Sequence, residues 1–146
     1  MAAASFEFDA CVLIDGSARG VALRLTDTLS FWGGFDPIAG SIIDVHHPQY
    51  RAKMEGKVLL VPRSRGSAGT PGGIAECLRN GSGPSAFVLA ERDVNIGVGC
   101  LVANQLYGLH VPVLRIAIEQ MQSIASGDMI DIIGGGKIRI LRPAPT

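Results

Sequence analysis

"GKVLLVPRSRGSAGTPGGIAECLRNGSGPSAFVLA", residues 56–90, decides the fold. It opens on a continuous apolar run from Val58 to Val61, the pattern of a strand covered on both faces. A loop rich in glycine, serine and arginine follows, and then a helical stretch over 71–81. Pro71 suits the first helical position, Thr70 can cap it, and Gly81 suits its stop. Ile74 and Leu78 share a face at i,i+4 spacing. "SAFVLA" (85–90) is the next buried strand. Strand, helix and strand in this order make a crossover unit joining two parallel strands.

Downstream, the pattern repeats once. "NIGVGCLVANQLYG" (95–108) reads as a second helix, with Val98, Leu101 and Val102 on its apolar side and Gly108 as its end. "VPVLRIA" (111–117) is a third strand, so the centre is βαβαβ with at least three parallel strands. Beyond it, "DMIDIIGGGKIRIL" (128–141) alternates Ile130, Ile132, Ile138 and Ile140 around Gly134–Gly136, a hairpin pattern. Asp128 and Asp131 read as surface positions of that hairpin. Upstream, "GVALRLT" (20–26) alternates as an extended strand, "FWGGFDPIAG" (31–40) is turn-rich, and "SIID" is a short strand before Pro48 stops regular structure. The fold class is α/β, a small parallel centre flanked by antiparallel strands. Residues 1–146 are expected to form one domain, with no internal repeat and no disordered linker.

Composition narrows the function classes. Thirteen basic and thirteen acidic residues cancel among 146, which points away from a nucleic-acid or anionic-lipid surface. The apolar fraction is 47%, the charged fraction 18%, and the mean hydropathy +0.31. Such a chain either has an alanine-rich core with buried strands or covers a greasy face with a partner. The longest apolar zone, 96–118, is broken by Asn104, Gln105, Gly108, His110, Pro112 and Arg115, so no membrane span is expected. "MAAASFEFDA" has neither the basic start nor the apolar stretch of a targeting signal. Cys11, Cys77 and Cys100 form no CxxC pair and no disulfide framework, which suits reduced thiols and a cytoplasmic location. Cys77 and Cys100 fall inside predicted helices and read as core thiols.

The loop "PRSRGSAGTPGG" (62–73) admits several uses. As the connection between a core strand and its crossover helix, it is no linker. It lacks the lysine of a Walker phosphate loop and the G-x-G-x-x-G of a dinucleotide fingerprint. It does leave the carboxyl end of a parallel strand and enter a helix N-terminus, where open α/β sheets bind ligands and where backbone N–H groups favour anions. Arg63 and Arg65 add positive charge, and Arg65 can grip a carboxylate bidentately. Ser64, Ser67 and Thr70 supply hydroxyls, and Gly66, Gly69, Gly72 and Gly73 permit close approach. Ser67 is a candidate for chemistry, with a turn or capping role as the alternative. Its hydroxyl is a weak base at neutral pH and needs its oxyanion stabilised. No Ser-His-Asp arrangement is visible to make it a nucleophile.

Elsewhere, His46-His47-Pro48 is tempting as a metal or acid/base site. Adjacent histidines on extended chain point apart, however, and no third ligand is spaced nearby, so a structural role is expected. His110, which precedes a core strand, reads as structural. Asp36 and Asp44 read as turn and strand-end residues. Trp32, beside Gly33-Gly34, is expected to pack against the barrel or a partner subunit.

Three ordered segments carry a family resemblance. "LSFWGGFDPIAGSIIDVHHPQ" (29–49), "EGKVLLVPRSRGSAGTPGGIAECLRNG" (55–81) and "GCLVANQLYGLHVPVL" (99–114) together resemble the aconitase X swivel domain. The resemblance implies a swivelling β/β/α fold with a barrel-like sheet. It also implies the small subunit of a two-chain hydro-lyase whose large subunit carries an iron or iron–sulfur cofactor, this chain holding no metal itself. By the family's motif, the serine after Arg-Gly is the base that removes the substrate's α-proton. That serine is Ser67, and Arg65, Gly66, Ala68 and Gly69 are the expected substrate-binding residues. A metal in the other subunit would draw off the leaving hydroxyl as a Lewis acid. Of the family's two branches, one dehydrates cis-3-hydroxy-L-proline to Δ1-pyrroline-2-carboxylate and the other a phosphorylated mevalonate. "SRGSAGTPGG" resembles the first more closely. A non-catalytic anion-binding or interaction module is the alternative from another class.

Overall fold

A computed structural model describes residues 4–63, 65 and 67–143. The elements run β1 (Ala4–Asp9), β2 (Cys11–Ile14), β3 (Ala18–Arg24), β4 (Phe35–Asp36), β5 (Ser41–Ile42), β6 (Val58–Val61), α1 (Thr70–Arg79), β7 (Ala86–Leu89), α2 (Val94–Tyr107), β8 (Val113–Arg115), α3 (Ile118–Gln122), β9 (Met129–Ile133) and β10 (Lys137–Arg142). Eight strands form one curled mixed sheet in the order β1-β10-β9-β3-β6-β7-β8-β2, and β4 and β5 form a small separate hairpin. β3, β6, β7 and β8 are parallel, whereas β1, β10, β9 and β2 join antiparallel. The expected parallel centre therefore gains β3 as a fourth strand, and the Ile130–Ile140 alternation is the β9–β10 hairpin.

Alternation along the central strands builds two cores, one on each side of the sheet. Leu23, Leu25, Leu59, Val61, Phe87 and Leu89 face α1 and α2. Ala22, Val58, Leu60, Val88 and Leu114 face the interior of the curl, where they meet Ile130, Ile132, Ile138 and Ile140 of the hairpin and Met121 of α3. Every residue of β6 and β7 is buried, because both faces of these strands are covered. Where β3 passes β6, a Cβ on Gly20 would strike the carbonyl of Gly56, so glycine lets the two backbones meet.

Three expectations change. Thr70 does not cap α1: Gly69 is the N-cap, and Thr70 is the first helical residue, its buried hydroxyl without a hydrogen-bond partner among the described residues. Val98, Leu101 and Val102 do not form the buried side of α2; that side consists of Ile96, Gly99, Cys100 and Ala103. The reason is the close α1–α2 approach, where a Cβ on Gly99 would lie 2.9 Å from Ile74 Cβ and 3.0 Å from the Pro71 carbonyl. Beside Ile96 the inward residues are small, and Val98, Leu101 and Val102 turn outward. Asp128 is no surface residue. It is buried, and both its oxygens are bound by Arg142, with Oδ2 also accepting from the Ala125 N–H. No helix among the described residues is long and apolar enough to cross a membrane.

Candidate functional site

Parallel strands β6, β7 and β8 send their carboxyl ends to one edge of the sheet. The chain from Pro62 to Gly69 leaves β6 at that edge and enters α1, with Pro71 in its first turn. Asp93 follows β7 at the same edge and caps α2, its side chain accepting from the Ile96 N–H at 3.1 Å.

Ser67 sits between the two helix starts, half-buried. Its Oγ accepts from the Gly69 N–H at 3.3 Å, and its carbonyl accepts from the Thr70 N–H at 3.1 Å. Asn95, on the first turn of α2, donates from Nδ2 to the same carbonyl at 3.3 Å. The serine is thus tied to α1 by its own turn and to α2 by a side chain that sequence patterning did not single out. Only the tertiary packing of α2 beside the loop reveals Asn95.

Gly69 is a glycine for a visible reason. A Cβ there would lie 2.5 Å from the indole of Trp32. The indole rests on the Gly69 backbone and does not enter the barrel, leaving the residue 67% exposed. Ser30 holds the turn beneath it, donating from Oγ to the Trp32 carbonyl at 2.8 Å and accepting from the Trp32 N–H at 3.2 Å. Arg65 is exposed and lines an open cavity of about 510 Å³ with Trp32, Asp44 and Val45. Ala68 is exposed in the turn beside Ser67. Gly66 and Ser64 lie outside the described residues. Ser67, Ala68 and Gly69 therefore share one turn at the sheet edge, tied to Asn95 and covered by Trp32, while Arg65 lines the cavity that Trp32 shares with Asp44.

Neither His46 nor His47 lines that cavity, although the His46 N–H donates to Asp44. His46 is exposed, and His47 is buried with Nδ1 accepting from the Gln49 N–H at 3.0 Å and Nε2 placed 3.3 Å from the Asp27 carbonyl. An Nδ1 that accepts leaves the proton on Nε2, so this ring pins one loop to another. Among the described hydrogen bonds none joins a histidine to Ser67. The residues of this chain do not fit an iron site either: no group of three His, Cys, Asp or Glu among the described residues could hold a metal. Cys77 and Cys100 are core thiols, and burial pushes both thiols up from their ordinary pKa.

The family model for the aconitase X swivel domain matches residues 7–140. The chain belongs to that family. A cis-3-hydroxy-L-proline dehydratase from Pseudomonas aeruginosa is 33% identical over 133 residues, covering 91% of this chain and 23% of that protein. A phosphomevalonate dehydratase small subunit from Methanothermobacter thermautotrophicus is 36% identical over 98 residues, covering 67% of this chain and 75% of that protein. The swivel chain thus spans less than a quarter of the length of the hydroxyproline dehydratase it matches. In structure it is similar to Thermococcus kodakaraensis aconitase X, with a TM-score of 0.83, 22% identity, and coverage of 94% of this chain and 99% of that one. The likeness confirms the swivel fold.

Proposed function

We propose that this chain is the small, swivel subunit of a two-chain dehydratase acting on cis-3-hydroxy-L-proline, with Ser67 as the general base. The observation that carries the reading is the placement of Ser67. It is fixed by hydrogen bonds to Gly69, Thr70 and Asn95 at the carboxyl edge of parallel strands, with no histidine bonded to it among the described residues. A serine so held suits proton abstraction at a substrate that a second chain presents to it.

Ser67 Oγ takes the proton from the carbon next to the substrate carboxylate. The Gly69 N–H and the α1 N-terminus stabilise negative charge on Oγ while it is deprotonated. Arg65 holds the carboxylate and so keeps the α-carbon within reach. On this reading an iron cofactor sits in the large subunit; among the described residues of this chain no group of three His, Cys, Asp or Glu could hold a metal. The exposed apolar face of α2 and the open rim at Trp32 supply surface for that subunit to cover. On this reading the isolated chain is inactive.

The hydroxyproline substrate is supported by the Pseudomonas relative, which matches over 91% of this chain. A phosphorylated mevalonate is the second reading, supported by stand-alone relatives named phosphomevalonate dehydratase small subunit. The test is a dehydration assay on both substrates with the swivel chain and a co-purified large chain. We expect activity from the complex, none from the chain alone, and a loss of about 100-fold or more in kcat for Ser67→Ala. A Ser67→Ala complex that assembles and turns over normally would remove Ser67 from the chemistry.

A further inference from the structure

We propose that Trp32 and Asp44 form the ammonium-recognising half of the substrate site, so that the Ser67 edge selects a cyclic α-amino acid over a phosphorylated hydroxy acid. The proposal rests on the reading that the reaction takes place at this edge.

The cavity that Trp32 borders carries one cationic, one anionic and one aromatic side chain, Arg65, Asp44 and Trp32, with Ser30, Ile43 and Val45 also on its wall. Among the described residues, Arg65 and Asp44 form no ion pair with each other or with any other group. Two opposite charges on one cavity that do not neutralise each other suit a ligand carrying both signs. Asp44 Oδ1 accepts from the His46 N–H at 2.9 Å, which fixes the carboxylate at the end of β5, and no described hydrogen bond reaches its Oδ2. One oxygen therefore orients the side chain and the other is available to a ligand.

Trp32 gives the cavity its floor. The indole is seated on Gly69, whose N–H donates to Ser67 Oγ, so the aromatic surface lies beside the serine that would take the proton. An aromatic face attracts a desolvated cation, and a ring-borne secondary ammonium presents both an apolar ring and a positive charge to it. A zwitterion then spans the cavity, with carboxylate on Arg65, ammonium between Asp44 and the indole, and the α-carbon between the charges. A ligand with a phosphate in place of the ammonium would bring a second negative group toward Asp44, at a repulsive cost.

Trp32 is the single tryptophan of the chain, so its emission reports on this cavity alone. The full chain is titrated with L-proline, with tetrahydrofuran-2-carboxylate (the same ring with oxygen in place of the ammonium), and with inorganic phosphate. L-proline should give a saturable change at an affinity about tenfold or more above the oxygen analogue, the size of one charge-assisted hydrogen bond. Asp44→Asn keeps Oδ1 for the His46 turn, removes the charge, and should erase the preference. Equal affinity for the two ring compounds, no response to either, or a preference that survives Asp44→Asn overturns the proposal. Loss of large-chain co-purification in Asp44→Asn with an unchanged proline preference does so in favour of a subunit contact. A zwitterion preference in a chain whose Ser67→Ala complex keeps full turnover would remove Ser67 as the base and leave the recognition by Trp32 and Asp44 standing.

Discussion

At the scale of single residues, Asp128 shows best what burial does to a charge. Burial by itself raises its carboxyl pKa. The Arg142 guanidinium, the Ala125 N–H and the charge of Arg142 together outweigh that and hold it below the ordinary aspartate value. A lowered pKa in the folded state means that the unfolded chain binds the proton more readily. The stabilisation is therefore complete above the unfolded value of about 3.9 and is lost as pH falls through the folded value. Arg142 is 42% exposed on its side chain, which screens the pair and limits its worth. Asp128→Asn should lower stability by about 1–2 kcal/mol at neutral pH, and the deficit should shrink in acid. Urea midpoints at about pH 7 and about pH 3 check this; an equal deficit at both would place the effect outside the ion pair. The hairpin spacing alone put Asp128 at the surface. It could not show that Arg142, fourteen residues on, folds back over it.

At the scale of elements, α2 separates what patterning can tell from what it cannot. Its length and its Gly108 stop, in the left-handed conformation, follow from the local sequence. Its inward face does not, since apolar residues occur all around it. Contact with α1 chooses the side with Gly99, Cys100 and Ala103, because only small residues let the helices come that close. Two glycines on this helix should then respond with opposite sign. Gly97→Ala adds a Cβ into open space and should stabilise by up to about 1 kcal/mol through helix propensity. Gly99→Ala meets Ile74 and the Pro71 carbonyl, and should destabilise by about 1–3 kcal/mol. Denaturation midpoints of the two variants settle the packing; stabilisation by both would mean that α1 and α2 lie further apart.

At the scale of the whole molecule, the apolar content divides between buried strands and an exposed helix face, and the core is built of leucine, isoleucine and valine rather than alanine. Two cores fill the sides of the sheet. A further set of aliphatics is left outside along α2, including Val94 at 69%, Leu101 at 50% and Leu106 at 68% exposure. This face begins at the turn where Asn95 holds the Ser67 loop, and on the proposed two-chain reading the large subunit that closes over the serine would also cover it. Leu101→Glu should change the stability of the isolated chain by no more than about 0.5 kcal/mol. It should weaken association with the large subunit, read as loss of co-elution at matched concentrations. Full co-elution would place the partner elsewhere.

The sequence by itself determined the types and order of the central elements, the parallel centre, the β9–β10 hairpin and the carboxyl-edge loop with Ser67. These rest on local rules: continuous apolar runs in strands covered on both faces, glycine and proline at helix ends, and residues contiguous in one motif. β1 and β2 escaped notice because short strands take their meaning from distant partners, β10 and β8, rather than from their own pattern. Only the tertiary structure decided which side of α2 is buried, that Asp128 is enclosed, that Asn95 holds the Ser67 carbonyl and that Trp32 rests on Gly69. Each of these is a contact between residues far apart in the chain. Close approach, burial and unpaired charge belong to the folded chain's geometry, which no local spacing encodes.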